Sequence, residues 1–100
     1  MDLQLLPEYY ERFLDTPDEE AKWLESIRHR VEELLDKDPG LLFSHLYRLD
    51  VEESILSHLL RTQAADQLAE AISREIWKRQ KARMQSRRDH PQGLILDSDF

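Results

Sequence analysis

From Trp23 to Leu35 the apolar side chains Trp23, Leu24, Ile27, Val31, Leu34 and Leu35 recur at intervals of three and four residues, with Glu20, Glu25, Arg28, Glu32 and Lys37 mainly on the other side. A helix gathers that spacing into one stripe, and such a stripe has to be covered by other elements. Its limits are also encoded locally. Thr16-Pro17-Asp18-Glu19 predicts a capping box, with the Thr16 hydroxyl accepting from the Glu19 amide, the Glu19 carboxylate reaching back, and Pro17 at the tolerated first position. At the other end Pro39 disfavours helical geometry at Asp38, so Asp38-Pro39-Gly40 stops this helix and starts the next with Asp38 as cap.

The remainder reads the same way. Seventeen Leu stand against two Val, five Ile and two Thr, and with two Gly and four Pro there is little punctuation for the turns of a sheet. Tyr9, Tyr10, Phe13 and Leu14 predict a short amphipathic helix after Pro7. Leu41, Leu42, Phe43, Leu46, Tyr47 and Leu49 make the segment after Asp38 apolar on most sides, which places it in the middle of the fold. Asp50-Val51-Glu52-Glu53 repeats the cap-and-reach-back arrangement before Ile55, Leu56, Leu59 and Leu60. Thr62 is the expected cap of a long final helix carrying Ala65, Leu68, Ala69, Ile72 and Ile76, whose stripe fails after Trp77. The expected fold is therefore a compact all-α bundle of five helices, approximately 8 to 15, 17 to 37, 39 to 48, 51 to 61 and 63 to 86. Residues 1 to 90 form one domain and residues 91 to 100 a tail.

Several function classes are excluded at this level. Without cysteine there is no disulfide, thiolate metal site or thiol nucleophile, in keeping with a reducing compartment. The segment Met1 to Pro7 has no positive region, long apolar run or small-residue cleavage site, so a cytoplasmic location and no membrane role are expected. The two Gly lie at positions 40 and 93, so no Gly-rich phosphate loop exists. None of the seven Ser sits in a Gly-rich elbow, and the neighbours Ser44-His45 and Ser57-His58 diverge by about 100° on a helix. Glu25 and His29 share a face without further inward ligands. No catalytic residue, metal, cofactor or small-molecule substrate is expected.

The charge is uneven. Residues 1 to 73 carry 7 Lys/Arg against 17 Asp/Glu, whereas residues 74 to 90 carry 7 against 2. The basic set is Arg74, Lys78, Arg79, Lys81, Arg83, Arg87 and Arg88, with Trp77 among them, and Arg74 and Lys81 at cation–π spacing from the indole. Three readings compete: a solvated helix end that pairs with the acidic body of the same chain, a dock for an acidic protein surface including a second copy, and a nucleic-acid site in which Lys/Arg neutralise phosphates. The pair of helices from Leu41 to Arg61 superficially suggests a helix-turn-helix. Its second helix, however, would present Glu52 and Glu53 to the major groove, where phosphates repel them. Nucleic acid would thus have to use the C-terminal segment, with Trp77 stacking. In the tail, Leu94-Ile95-Leu96 is expected to cover apolar surface in cis or to bind a partner.

Tyr47, Arg48, Asp50 and Glu53 are expected to form a rigid corner. Arg48 bonds the last carbonyls of one helix or the carboxylates starting the next, Tyr47 and Leu49 pack behind, and Asp50→Ala costs about 1 kcal/mol as a lost N-cap. The stretch Leu46-Tyr47-Arg48-Leu49-Asp50-Val51-Glu52-Glu53, followed by an Ala/Leu/Ile helix ending in Arg74-Glu75-Ile76-Trp77-Lys78-Arg79-Gln80-Lys81, resembles a group of small uncharacterised bacterial proteins over roughly residues 40 to 88. In them a Leu-Tyr-Arg-Ile/Val-Asp-Val-x-Glu turn precedes a last helix with a basic end. The resemblance implies a bacterial, cytoplasmic, helical protein and brings no active site with it. The leading expectation is a non-enzymatic adaptor or regulatory protein that binds a protein partner or itself as a homodimer. Nucleic-acid binding through the basic helix end is the alternative, and a small enzyme or metal-binding protein comes third.

Overall fold

A computed structural model describes residues 6 to 89 of the chain, and the expected tail over 91 to 100 lies outside them. The described residues are helical, without a strand: a 3₁₀ turn at Glu11–Leu14, then α1 (Pro17–Lys37), α2 (Pro39–Arg48), α3 (Glu53–Thr62) and α4 (Ala65–Asp89). The all-α class holds, with four α-helices in place of five. What changes is the first element, expected as a helix over 8 to 15. Tyr10 is extended, at φ −107° and ψ 149°, and only four residues wind after it. So short a helix is marginal by itself. Tertiary contacts draw the preceding residues out instead: the Tyr9 ring stands edge-on between Phe13 (5.2 Å) and Trp23 (4.8 Å), and the Trp23 indole N–H donates to the Pro7 carbonyl at 3.1 Å.

The long helices carry the core. α1 buries Trp23, Ile27, Val31 and Leu34, while α4 buries Ala69, Ile72, Ser73, Ile76 and Met84. The two pack antiparallel: Glu20 near the start of α1 meets Trp77 at the middle of α4, and Arg28, two turns later in α1, faces Glu70, earlier in α4. Burial of Met84 shows why α4 continues to Asp89 although the stripe was expected to fail after Trp77: one apolar residue two turns beyond Ile76 keeps the helix seated. Ser73, buried among these side chains, donates its hydroxyl to the Ala69 carbonyl at 2.7 Å, so no polar atom is left orphaned there.

Three capping expectations fail for one reason. The Thr16 hydroxyl turns backward to the Arg12 carbonyl at 2.8 Å, and Glu19 pairs with Arg12 Nε at 3.0 Å, so the 3₁₀ turn takes the partners that a capping box would use. Thr62 closes α3, its hydroxyl donating to the His58 carbonyl at 2.8 Å, so it does not cap α4. The third is Asp50, described below. Only Asp38 caps as expected, accepting from the Leu41 amide at 3.1 Å.

His45, on α2, is half-buried beside Leu6, Tyr9, Trp23, Leu49 and Ile76. Burial, and next the charge of Arg48, hold its imidazole below the ordinary histidine value of 6.5. The stability this contributes is complete above that value and is lost as pH falls through the lowered one. Between pH 7 and 5 stability should therefore decline with a slope of at most ~1.4 kcal/mol per pH unit. Urea unfolding of His45→Gln should show a flatter dependence over the same window. The carboxyls of Asp15, Glu25 and Glu33 are held below their ordinary range mainly by hydrogen bonds from Arg88, Arg28 and Arg30, and act at lower pH.

Candidate functional site

The corner between α2 and α3 begins with Leu46, Tyr47 and Arg48 in the last turn of α2, followed by Leu49. The Val51 amide donates to the Leu46 carbonyl at 3.2 Å and the Asp50 amide to the Tyr47 carbonyl at 3.1 Å. With Asp50 at φ 65°, this is a Schellman ending in which Asp50 holds the left-handed position usually given to Gly. Leu46 and Val51, both buried, are its hydrophobic pair. Asp50 consequently ends α2 and does not cap α3. Glu52 stands at the start of α3 in extended backbone, with no side-chain cap. The corner residues separate accordingly. Arg48 and Glu53 are exposed, Leu49 is half-buried, and Tyr47, expected to pack behind the corner, is 76% exposed.

An Asp in this position is strained relative to Gly. Asp50→Gly should therefore raise stability by about 0.5 kcal/mol, after allowing for an exposed pair with Arg83 that is worth little. A cap residue would lose a few tenths of a kcal/mol in the same substitution, so the sign of the change in melting temperature separates the two roles.

Because α1 packs with α2 and with α4, and α3 with α4, the helices α2 and α3 diverge from their shared corner without packing along their lengths. α2 buries Leu42 and Leu46, one turn apart, against the core. Its apolar excess therefore faces outward, with Phe43 half-buried and Tyr47 exposed. α3 buries Leu56 and Leu59 and turns Leu60 out, 49% exposed. Phe43, Tyr47, Val51, Leu56 and Leu60, with Glu53 and Ser57 as the polar members, line a groove of about 360 Å³. Sequence reading missed this surface, although its signal was present. A helix apolar on most sides is either central to its fold or leaves apolar side chains at the surface, and among the described residues α2 does the second, with Leu41 and Tyr47 exposed.

The basic face of α4 is largely occupied. Arg74 pairs with Glu70 at 3.0 Å, Lys78 with Glu75 at 3.1 Å and Arg83 with Asp50 at 3.3 Å. Arg88 forks onto Asp15, at 2.9 and 2.8 Å, and reaches Glu11 at 3.2 Å. Those hydrogen bonds, Asp15 first, raise the guanidinium pKa further. Lys81 lies 4.8 Å from the centre of the Trp77 ring, the cation–π neighbour expected at that spacing, whereas Arg74 turns to its own helix. Trp77 itself is half-buried. Its indole N–H donates to the Glu20 carboxylate at 2.7 Å, and the same oxygen accepts from the buried Tyr9 hydroxyl at 2.7 Å. Burial, and then that bond, push the Tyr9 phenol pKa upward. Among the described residues only Arg79 and Arg87 of the basic set make neither an ion pair nor a ring contact.

Among the described residues no three His, Asp or Glu side chains converge as a metal site would require, and no helix is long and apolar enough to cross a membrane. No family model, curated protein or solved structure matches the chain.

Proposed function

We propose that this chain is a small helical interaction protein, without chemistry of its own, that offers the α2–α3 groove to a protein partner. One observation carries the reading. Tyr47 is 76% exposed at the mouth of a concave apolar surface, while most charged groups of α4 are already answered within the chain. A large aromatic beside a pocket is the common anchor of protein interfaces, and an apolar side chain laid on it gains roughly 1.5 to 3 kcal/mol by leaving water. Glu53 and Ser57 add polar groups to the apolar lining. That suits the apolar face of an amphipathic segment, from another protein or from a second copy.

The test is affinity recovery from the cells that make this protein, using the full chain and its Tyr47→Ser/Leu60→Ser variant. Both positions are exposed, so the variant should melt within a few degrees of the parent. It should lose the partner. The same proteins recovered at the same yield by both would remove the groove from the account.

The second reading is nucleic-acid binding through the basic end of α4, favoured by Arg79 and Arg87, which make no ion pair among the described residues. Phosphates would have to displace the carboxylates already on Arg74, Arg83 and Arg88 to recruit the rest of the set. Retention on immobilised nucleic acid at low salt, lost in Arg79→Glu/Arg87→Glu, would favour this reading over the first.

A further inference from the structure

We infer that the partner suited to the α2–α3 groove is a second copy of this chain, with the two α3 helices laid antiparallel about a two-fold axis at Ser57. The inference rests on the groove of the reading above and names its occupant.

A two-fold contact sets one patch against itself, so the patch must carry its own complement. The row formed by Glu53, Ser57 and Arg61 does so. These residues follow one another at intervals of four along α3, with the carboxylate in the first turn, the guanidinium in the last and a short side chain midway. Glu53 and Ser57 line the groove, and Arg61 is exposed one turn further on. Neither Glu53 nor Arg61 has an ion-pair partner among the described residues. Within one chain they cannot meet, because eight residues of helix hold them roughly 12 Å apart. Reversing a second α3 about Ser57 brings each Glu53 level with the second copy's Arg61, twice by symmetry. A parallel pairing would set Glu53 against Glu53 and Arg61 against Arg61.

The apolar groups fit the same register. Leu60 is exposed and lies three residues past Ser57, so in the reversed copy it comes level with Ser54. The axis leaves both grooves on the same flank of the helix pair. Leu60 of the second copy therefore enters the end of the groove nearest the corner, where Tyr47 stands exposed beside Val51. Ser54, exposed, and Ser57, half-buried, are short enough to let the two helices approach. Each copy withdraws its Tyr47 and Leu60 from water, which supplies the affinity. The paired charges at the rim fix the register and contribute little binding energy. One ten-residue helix and the groove beside it make a small contact, below the roughly 1,200 Å² of tight complexes, so the dimer forms at micromolar concentrations or above.

The test is sedimentation equilibrium of the full chain from about 10 µM to about 1 mM, the range in which so small an interface assembles. The parent should pass from monomer to dimer, and Tyr47→Ser/Leu60→Ser should stay monomeric. Glu53→Arg and Arg61→Glu should each raise the dissociation constant by roughly tenfold or more, since each sets like charges opposite one another at both ends of the contact. Mixed in equal amounts, these two variants should pair with each other about as well as the parent pairs with itself. Both positions are exposed, so both variants should keep the helical circular-dichroism spectrum of the parent. A parent that is monomeric throughout overturns the inference, as does a dimer indifferent to Tyr47 and Leu60. A mixture of the charge variants that associates no better than either alone overturns it too. Recovery of a different protein through Tyr47 and Leu60 would, in each of these cases, leave the function reading standing.

Discussion

Leu46→Ala is expected to lower the free energy of unfolding by roughly 3 to 4 kcal/mol, within the range for a fully buried leucine reduced to a methyl group. Leu46 is fully buried, faces the core from the last turn of α2, and pairs with Val51 across the Schellman ending. The truncation opens a cavity and at the same time loosens the apolar contact that holds the corner shut. A domain of this size is stable by only about 5 to 15 kcal/mol, so the variant should sit near the edge of folding. Urea unfolding measures it directly: the midpoint should fall with the slope unchanged. Leu41→Ala, on the exposed side of the same helix, should shift stability by no more than about 0.5 kcal/mol. Equal costs at the two positions would mean that α2 is oriented differently from this description.

Glu20→Ala should cost roughly 2 to 3 kcal/mol, although Glu20 is only half-buried. Its carboxylate accepts from the Tyr9 hydroxyl and the Trp77 indole, both at 2.7 Å, and so joins the N-terminal segment, α1 and α4 at one oxygen. Hydrogen bonds to a charged acceptor are the stronger kind, and removing this one strands the hydroxyl of a fully buried tyrosine. Glu20→Gln keeps an acceptor oxygen and should recover part of the loss. A thermodynamic cycle with Tyr9→Phe isolates the bond. With Glu20 already Ala, removing the Tyr9 hydroxyl should cost little or even help, because no orphan remains. Additive costs would show that Tyr9 and Glu20 do not interact.

α1 and α2 were legible from the chain because periodicity, Pro placement and the Asp38 cap agree with one another there. Local chemistry misled wherever a residue had two uses. Thr16, Asp50 and Thr62 are all sound N-cap types, yet each serves the end of the element before it, and nothing local distinguishes the two roles. In Asp50-Val51-Glu52-Glu53 the sign was the apolar Val51, which closes a Schellman ending as readily as it opens a helix. The residues from Tyr9 to Leu14 carry helical spacing, but their rings find Trp23, and packing overrides the pattern. The basic run of α4 was visible as charge. Its commitments to Glu11, Asp15 and Asp50 link positions 33 to 77 residues apart, which no local reading connects. The groove is the clearest omission: Phe43, Tyr47, Leu56 and Leu60 are apolar in any reading of the chain, and only the divergence of α2 from α3 shows which of them stay outside.

The assignment of binding to the groove instead of the basic helix end is tested most directly by partner recovery with two variants in parallel, Tyr47→Ser/Leu60→Ser and Arg79→Glu/Arg87→Glu. The expected result is loss of the bound protein with the first pair and its retention with the second. Retention by the first pair and loss by the second would move the binding surface to the end of α4.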